Sequence, residues 1–389
     1  MVPQSLPKQV LSGEFDEFDR LIRPDKSTLE AAKQAHLDVR QRLNNDKYIA
    51  EIHVADFLQG SYARHTMVHP ADGEDGQPGK ADVDIVFVTK VPETVLPEHI
   101  LQALAAWLAR EYGQDRVTVQ SRSVKVAFND VDVDLVPTSA PSEAQQELLV
   151  FGLMDIIAKA YSSVTRASGS EDDVHDPNEV FGPMRSAGAW TKESLRIPDR
   201  DAKCWQDTHP LAALDFTAQR NKACNRRFLR VVRALKWWRR VCFQTGRGKH
   251  PKSYPIEHMV GDCCPLEFDS MAEGLTLTLE RMRDVYKEHY RRSKPTLRPR
   301  GLEDSEADVL SRLSQEDFDA FFEDLETAAT QARYALHHRE PREAARAWQR
   351  LLGEEFKVPP APRTPSSPPS GGFPPREQPA PRPTGGRFG

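Results

Sequence analysis

Cysteine is scarce in this chain. The five thiols among 389 residues, Cys204, Cys224, Cys242, Cys263 and Cys264, are odd in number and show no C-x-x-C spacing. That excludes a disulfide framework and fits a reducing, cytoplasmic setting. No apolar run approaches the roughly 20 residues of a membrane-spanning helix, and no signal peptide is visible. An overall basic excess is missing too. With 53 Lys and Arg against 58 Asp and Glu, the formal charge is −5. That argues against a general nucleic-acid binder, so no DNA is expected to be required and any basic site must be local. One local absence is informative. Between Phe216 and Ile256 there is no Asp or Glu, while Arg220, Lys222, Arg226, Arg227, Arg230, Arg233, Lys236, Arg239 and Arg240 all fall there. In a chain acidic elsewhere, such a block is expected to face a polyanion.

What is present is a set of strand-borne carboxylates. Gln59-Gly60-Ser61-Tyr62-Ala63-Arg64-His65-Thr66 precedes Asp82-Val83-Asp84-Ile85-Val86-Phe87-Val88, and Val131-Asp132-Val133-Asp134-Leu135-Val136-Pro137 follows. Side chains alternate faces along a strand, so Asp82 and Asp84 point the same way, roughly 6 to 7 Å apart. Two carboxylates that close repel each other unless a cation lies between them. Hard oxygen donors suit Mg²⁺ shared with substrate phosphates. Two such ions can hold the attacking and leaving oxygens of a phosphoryl displacement. A single Asp-x-Asp is more often the polar face of a half-exposed strand. Gly-Ser upstream and a second Asp-bearing strand downstream turn the reading toward a metal and nucleotide site.

This constellation resembles the nucleotidyltransferase fold, and more narrowly the bacterial cyclic-oligonucleotide synthases of anti-phage operons. The resemblance implies Gly60 and Ser61 at the triphosphate, and Asp82, Asp84 and Asp134 as catalytic ligands of two Mg²⁺, with Mn²⁺ as an alternative ion. Asp134 is preferred because two apolar residues and Pro137 follow it, with Asp132 as the reserve. His65 departs from the family pattern, where Gly is common before the Thr. Leu235-Lys236-Trp237-Trp238 and Pro251-Lys252-Ser253-Tyr254-Pro255-Ile256-Glu257 resemble the second-lobe signature. There Lys236 and Ser253 would contact triphosphate and Tyr254 would stack on the base. Stacking is sequence-tolerant, so it leaves the base open. His258 with Cys263-Cys264 is faintly similar to the zinc insertion of the animal synthase, but no further cysteine follows, and structural thiols are the favoured reading.

The fold class implied is α/β: a polymerase-β-like core with a mixed sheet, a helical second lobe and a disordered Pro-rich tail. Residues 1–165 would form the catalytic lobe with an N-terminal spine helix, 166–204 a crossover or insertion, 205–357 the helical nucleotide-binding lobe and 358–389 the tail. Within this plan the spacing predicts a helix from Ser27, with Glu30 completing a capping box and Leu29, Ala32, His36, Val39 and Leu43 on one face. Residues 1–26 read only as polar. Ile52 to Leu58 is expected to continue a helix toward Gly60, where free N–H groups can cradle phosphate. An acidic loop is expected over Pro70–Gly79. A helix is expected over Pro97 to Glu111, then strands over Val117–Phe128 and Val131–Val136. Further helices are expected over Asn225–Cys242, Ser305–Leu313, Ser314–His337 and onward from Pro341.

The tail holds 11 of the 30 prolines and cannot bury a core. It closes on Gly385-Gly386-Arg387-Phe388-Gly389. The family resemblance implies conjugation through Gly389 by a ubiquitin-activation-like ligase; an inert linker is the plain reading. The function expected is Mg²⁺-dependent synthesis of a cyclic di- or oligonucleotide messenger from nucleoside triphosphates (ATP, with GTP, CTP or UTP), which acts on a downstream effector. Rival readings are protein adenylylation, RNA 3′-end addition and a catalytically silent scaffold.

Overall fold

The structure is a computed structural model that describes residues 8, 10–70, 78–140, 194–243 and 249–360. Gly389, most of the proline-rich tail, most of the expected crossover and the acidic stretch 71–77 lie outside the described residues. Main-chain contacts separate 1–358 from 359–389, and the account below concerns the first unit.

The chain begins with helix α1, Ser12–Ile22, which the polar reading of 1–26 does not anticipate. Phe15, Phe18 and Ile22 recur at helical spacing and are buried. Helix α2, Lys26–Asn45, starts earlier than Ser27 because Asp25 is its cap, accepting from Thr28 N at 2.7 Å. Ser27 instead donates to Asp25, and Glu30 accepts from Gln34. Ala32, His36, Val39 and Leu43 form the buried stripe, as the spacing predicts.

Helix α3, Lys47–Ile52, then gives way to strand β1, His53–Gln59. The expected helix over Ile52–Leu58 is therefore wrong. Six consecutive residues of β1 are buried, so the strand lacks the two-residue alternation that would have marked it. A one-turn helix α4, Gly60–Ala63, leads toward strand β2, Ala81–Thr89. Helix α5, Pro97–Tyr112, matches its expected span. The first expected strand is split into β3, Val117–Val119, and β4, Val124–Ala127, and β5 spans Val131–Pro137.

These strands form one mixed sheet in the order β1-β2-β5-β4-β3. Strands β2 and β5 run parallel at its centre, flanked by antiparallel neighbours. Val83, Ile85, Phe87, Val133 and Leu135 point into a core against α2 and α5, so the intervening aspartates occupy the other face. A hairpin of β6, Leu195–Asp199, and β7, Cys204–Thr208, follows.

From there the chain is helical: α6, Pro210–Ala223; α7, Phe228–Phe243; α8, Ser253–Cys263; α9, Met271–Tyr286; α10, Gln315–His337; α11, Pro341–Leu352. Helix α7 starts at Phe228 rather than Asn225 because Asn225 and Arg226 have φ of 48° and 63°. Residues 305–313 form turns, not the expected helix. Ser305 Oγ accepts from Ala307 N at 3.1 Å, a local bond that competes with a helix start. Ser314 does cap α10, accepting from Asp317 N at 3.1 Å. Helix α1 joins this second core: Phe15 meets Trp348 and Phe356 edge to face, at 5.1 and 4.9 Å between ring centroids. None of the described helices is long and apolar enough to cross a membrane.

Candidate active site

The acidic face forms because β2 and β5 pair in parallel register, with Asp82 opposite Asp132 and Asp84 opposite Asp134. Asp84 and Asp134 are half-buried, whereas the Asp82 side chain is 65 % exposed. Burial, then the charge of Asp82, pushes Asp84 up to about 6. Burial, then the charge of Asp84, pushes Asp134 up to about 7. Asp134 Oδ1 is buried without a hydrogen-bond partner. The pair thus holds electrostatic repulsion that a cation would relieve.

Lys125 answers part of that need. It lies opposite Asp134 on β4, donates to Asp132 Oδ2 at 2.8 Å and approaches Asp82 Oδ1 at 3.4 Å. Burial works against its charge, but the bond to Asp132 and the surrounding carboxylates win and raise its pKa. Among the described residues, no three acidic, histidine or cysteine side chains are gathered into a finished metal cage. The donor set still fits Mg²⁺, which takes one or two protein carboxylates and completes its shell with water and substrate phosphate.

Gly60 closes the site on the β1 side. Gln59 pairs with Asp84, so the next residue must pass directly over that carboxylate. Gly60 has φ +75°, and a Cβ there would sit 1.9 Å from Asp84 Oδ2. Any side chain would collide with a candidate metal ligand. Ser61 follows within the same short turn, and its carbonyl accepts from Thr66 N at 2.9 Å.

Gly60 and Asp84 open into a cleft of about 1150 Å³ between the sheet and the helices. Arg64, Arg239, Lys252, Tyr254 and Arg300 also line it. Tyr254 is half-buried beneath the Arg64 guanidinium, which lies 5.2 Å from its ring centroid. Ser253 is the exposed first residue of α8.

Lys236 is placed differently. It is 4 % exposed, its ammonium donates to the Thr66 carbonyl at 2.7 Å, and it does not line the cleft. Burial lowers its pKa to about 8, against the opposing charge of Glu257. The rest of the basic block divides in the same way. Arg230 and Arg233 pair with Asp16 and Asp19 of α1, and Arg240 donates to the His69 carbonyl. The acids missing from the block are supplied by α1, and Arg239 reaches the cleft. Sequence reasoning also missed Arg64, Arg300, Lys125 and the tertiary role of Glu257. Arg64 lies in the Gln59–Thr66 stretch and Glu257 closes the Pro251–Glu257 stretch, but only the folded chain brings them together.

The mixed sheet, the paired aspartates and the glycine turn define a nucleotidyltransferase. A model of the Second Messenger Oligonucleotide or Dinucleotide Synthetase domain matches residues 10–150. A probable cyclic AMP-AMP-GMP nucleotide synthase of Salmonella paratyphi B is 34% identical over 394 residues, covering 97% of this chain and 99% of that protein. The cyclic AMP-AMP-GMP synthase of Enterobacter hormaechei subsp. hoffmannii is 33% identical over 364 residues, covering 90% and 92%. The structure of CdnC from E. coli MS115-1 with ATP shares the fold, with a TM-score of 0.60 at 16% identity over 90% of this chain and 100% of that one. The chain belongs to the family of cyclic-oligonucleotide synthases, nucleotidyltransferases that make cyclic second messengers.

Proposed function

We propose that this chain joins ATP and GTP into a cyclic trinucleotide, at a divalent-cation centre carried by Asp82, Asp84 and Asp134. The observation that carries the active-site reading is the Asp84–Asp134 pair, held in parallel register with both pKa values raised. Mg²⁺, or Mn²⁺, would supply charge neutralisation for the triphosphate and acidify the attacking hydroxyl. Asp84 and Asp134 hold the cation; Gly60 and Ser61 leave backbone room for phosphate beside them. Tyr254 offers its ring to a base and Arg64 and Lys252 offer charge to phosphate. The ribose oxygen of one nucleotide bonds to the α-phosphorus of another, the bond to the β-phosphate bridge breaks, and pyrophosphate leaves. Positioning and charge neutralisation dominate such transfers. The mixed adenine and guanine product is inferred from the names of the Salmonella and Enterobacter relatives. The messenger would act on a separate effector in defence against phage, as the family's setting implies.

The test is to incubate the purified protein with the four nucleoside triphosphates and Mg²⁺, remove phosphomonoesters with phosphatase, and weigh what survives. The expected species is a cyclic trimer of adenylate and guanylate. A linear polymer, a nucleotidylated protein, or no product would overturn the reading.

A further inference from the structure

Behind the cleft lies a buried ionic cluster centred on Glu257, a residue with no part in the chemistry just described. Glu257, on α8, is 5 % exposed and holds the segment that leaves the glycine turn with both carboxylate oxygens. Arg64 Nε donates to Oε1 at 2.5 Å, and the Thr66 hydroxyl donates to Oε2 at 2.8 Å. Lys236 completes the cluster from α7, bonded to the Thr66 carbonyl at 2.7 Å and 3.9 Å from Glu257 Oε2. Two cations share one carboxylate here, so the cluster keeps a net positive charge beside the cleft.

The connections run in two directions. Arg64 lies four residues after Gly60, whose backbone is pressed against Asp84. Tyr254 lies one helical turn before Glu257, and Arg64 covers its ring. Arg64 and Tyr254 both line the cleft, whereas Glu257 does not. Glu257 therefore cannot shift without moving the phosphate turn and the aromatic platform together. A carboxylate buried for its own sake is a poor source of stability, since desolvation consumes most of the attraction. Holding two elements in one fixed relation is the better-attested use of such a group.

We propose that Glu257 is a positioning residue that locks the Gly60–Ser61 turn to the Tyr254 helix, so that triphosphate and base are gripped as one unit. This rests on the active-site reading above, in which the turn meets phosphate and Tyr254 meets a base. Lys236, on this view, acts through Thr66 rather than by touching the nucleotide.

Two variants separate the idea from simple loss of fold. Glu257→Gln keeps the shape and removes the charge. Thr66→Val removes one hydroxyl and leaves the carbonyl that Lys236 uses. Binding of a non-hydrolysable ATP analogue with Mg²⁺ is measured by calorimetry for each, with Tyr254→Ala and the Tyr254→Ala/Thr66→Val double variant alongside, and KM and kcat are measured for the two single variants at Glu257 and Thr66. Loss of precise positioning predicts affinity weakened roughly ten- to a hundredfold in Glu257→Gln and about fivefold in Thr66→Val. KM rises by similar factors while kcat stays within about twofold, the pattern of lost uniform binding. The double variant binds no worse than Tyr254→Ala alone, because the two changes remove one shared device. Parent affinity in folded Thr66→Val, or effects that multiply in the double variant, would overturn the proposal. Should Glu257→Gln fail to fold, Thr66→Val decides alone. The binding measurements need no turnover, so they remain decisive even if the expected cyclic product is not found.

Discussion

The two charged regions of this molecule treat the same problem in opposite ways. In the cluster around Glu257, and in the neighbouring Arg233–Asp19 pair, nearly every charge meets a partner inside the protein. On the β2–β5 face, Asp84 and Asp134 are set side by side, with an unbonded oxygen on Asp134. The first arrangement is finished and fixes geometry. The second leaves repulsion unrelieved and a buried oxygen unbonded, as a candidate cation site would. Family membership fits that division: a transferase that neutralises triphosphate needs an unfinished acidic face mounted on a finished frame.

The comparison breaks most visibly at Asp84. Asp84→Asn removes one of the paired charges, and turnover should fall by several orders of magnitude with the fold intact, because charge stabilisation is usually the largest catalytic contribution. Near-parent turnover would move the chemistry elsewhere. On the finished side, Arg233→Ala should leave Asp19 buried without its bidentate partner and cost about 3 to 5 kcal/mol of stability, read by denaturant unfolding. A cost below about 1 kcal/mol, typical of a solvated surface pair, would show that this side is not finished after all.

The acidic side should respond in the other direction. In the metal-free protein, Asp134 titrates near 7 against an ordinary 3.8, so the folded state binds more protons than the unfolded state between those values. The contribution of Asp134 to stability then falls as pH rises from about 4 to about 7. Asp134→Asn removes that penalty, and should stabilise the metal-free protein at pH 8 by roughly 1 to 3 kcal/mol while abolishing activity. The gain should vanish near pH 4. A variant less stable than the parent at pH 8 would contradict the stored repulsion. An effect of similar size is expected at Tyr254, where Tyr254→Ala should weaken nucleotide binding by about 1 to 3 kcal/mol through lost stacking, with stability nearly unchanged. Unchanged affinity would return Tyr254 to a purely structural role.

Much of the acidic face was legible because its pattern is local. Alternation around Asp82 and Asp84 is written in consecutive residues, and Leu135-Val136-Pro137 marks the partner strand. The pairing that sets Asp84 against Asp134 spans 50 positions in the chain, yet both strands were recognisable singly. Strand β1 was not, because burial on both faces erases the alternation that distinguishes strand from helix. Helix α9 is not anticipated by the sequence reading although Ser270 caps it, with Ser270 Oγ accepting from Glu273 N at 3.2 Å and Glu273 accepting from Asp269 N at 2.9 Å. The basic block misled for a different reason. Its counter-charges, Asp16 and Asp19, lie more than 200 residues away, and no local spacing announces such a pairing.

The most direct test of the central claim is the uptake of Mn²⁺ by the metal-free protein at pH 6.5, followed by calorimetry in two buffers of different ionisation enthalpy. If Asp84 and Asp134 share their burden with a cation, binding should release protons, since values near 6 and 7 leave part of the pair protonated at that pH. Release should disappear, and affinity fall, in Asp84→Asn. Binding of equal strength in both proteins, with no protons released from the parent, would contradict the assignment of the acidic face as the cation site.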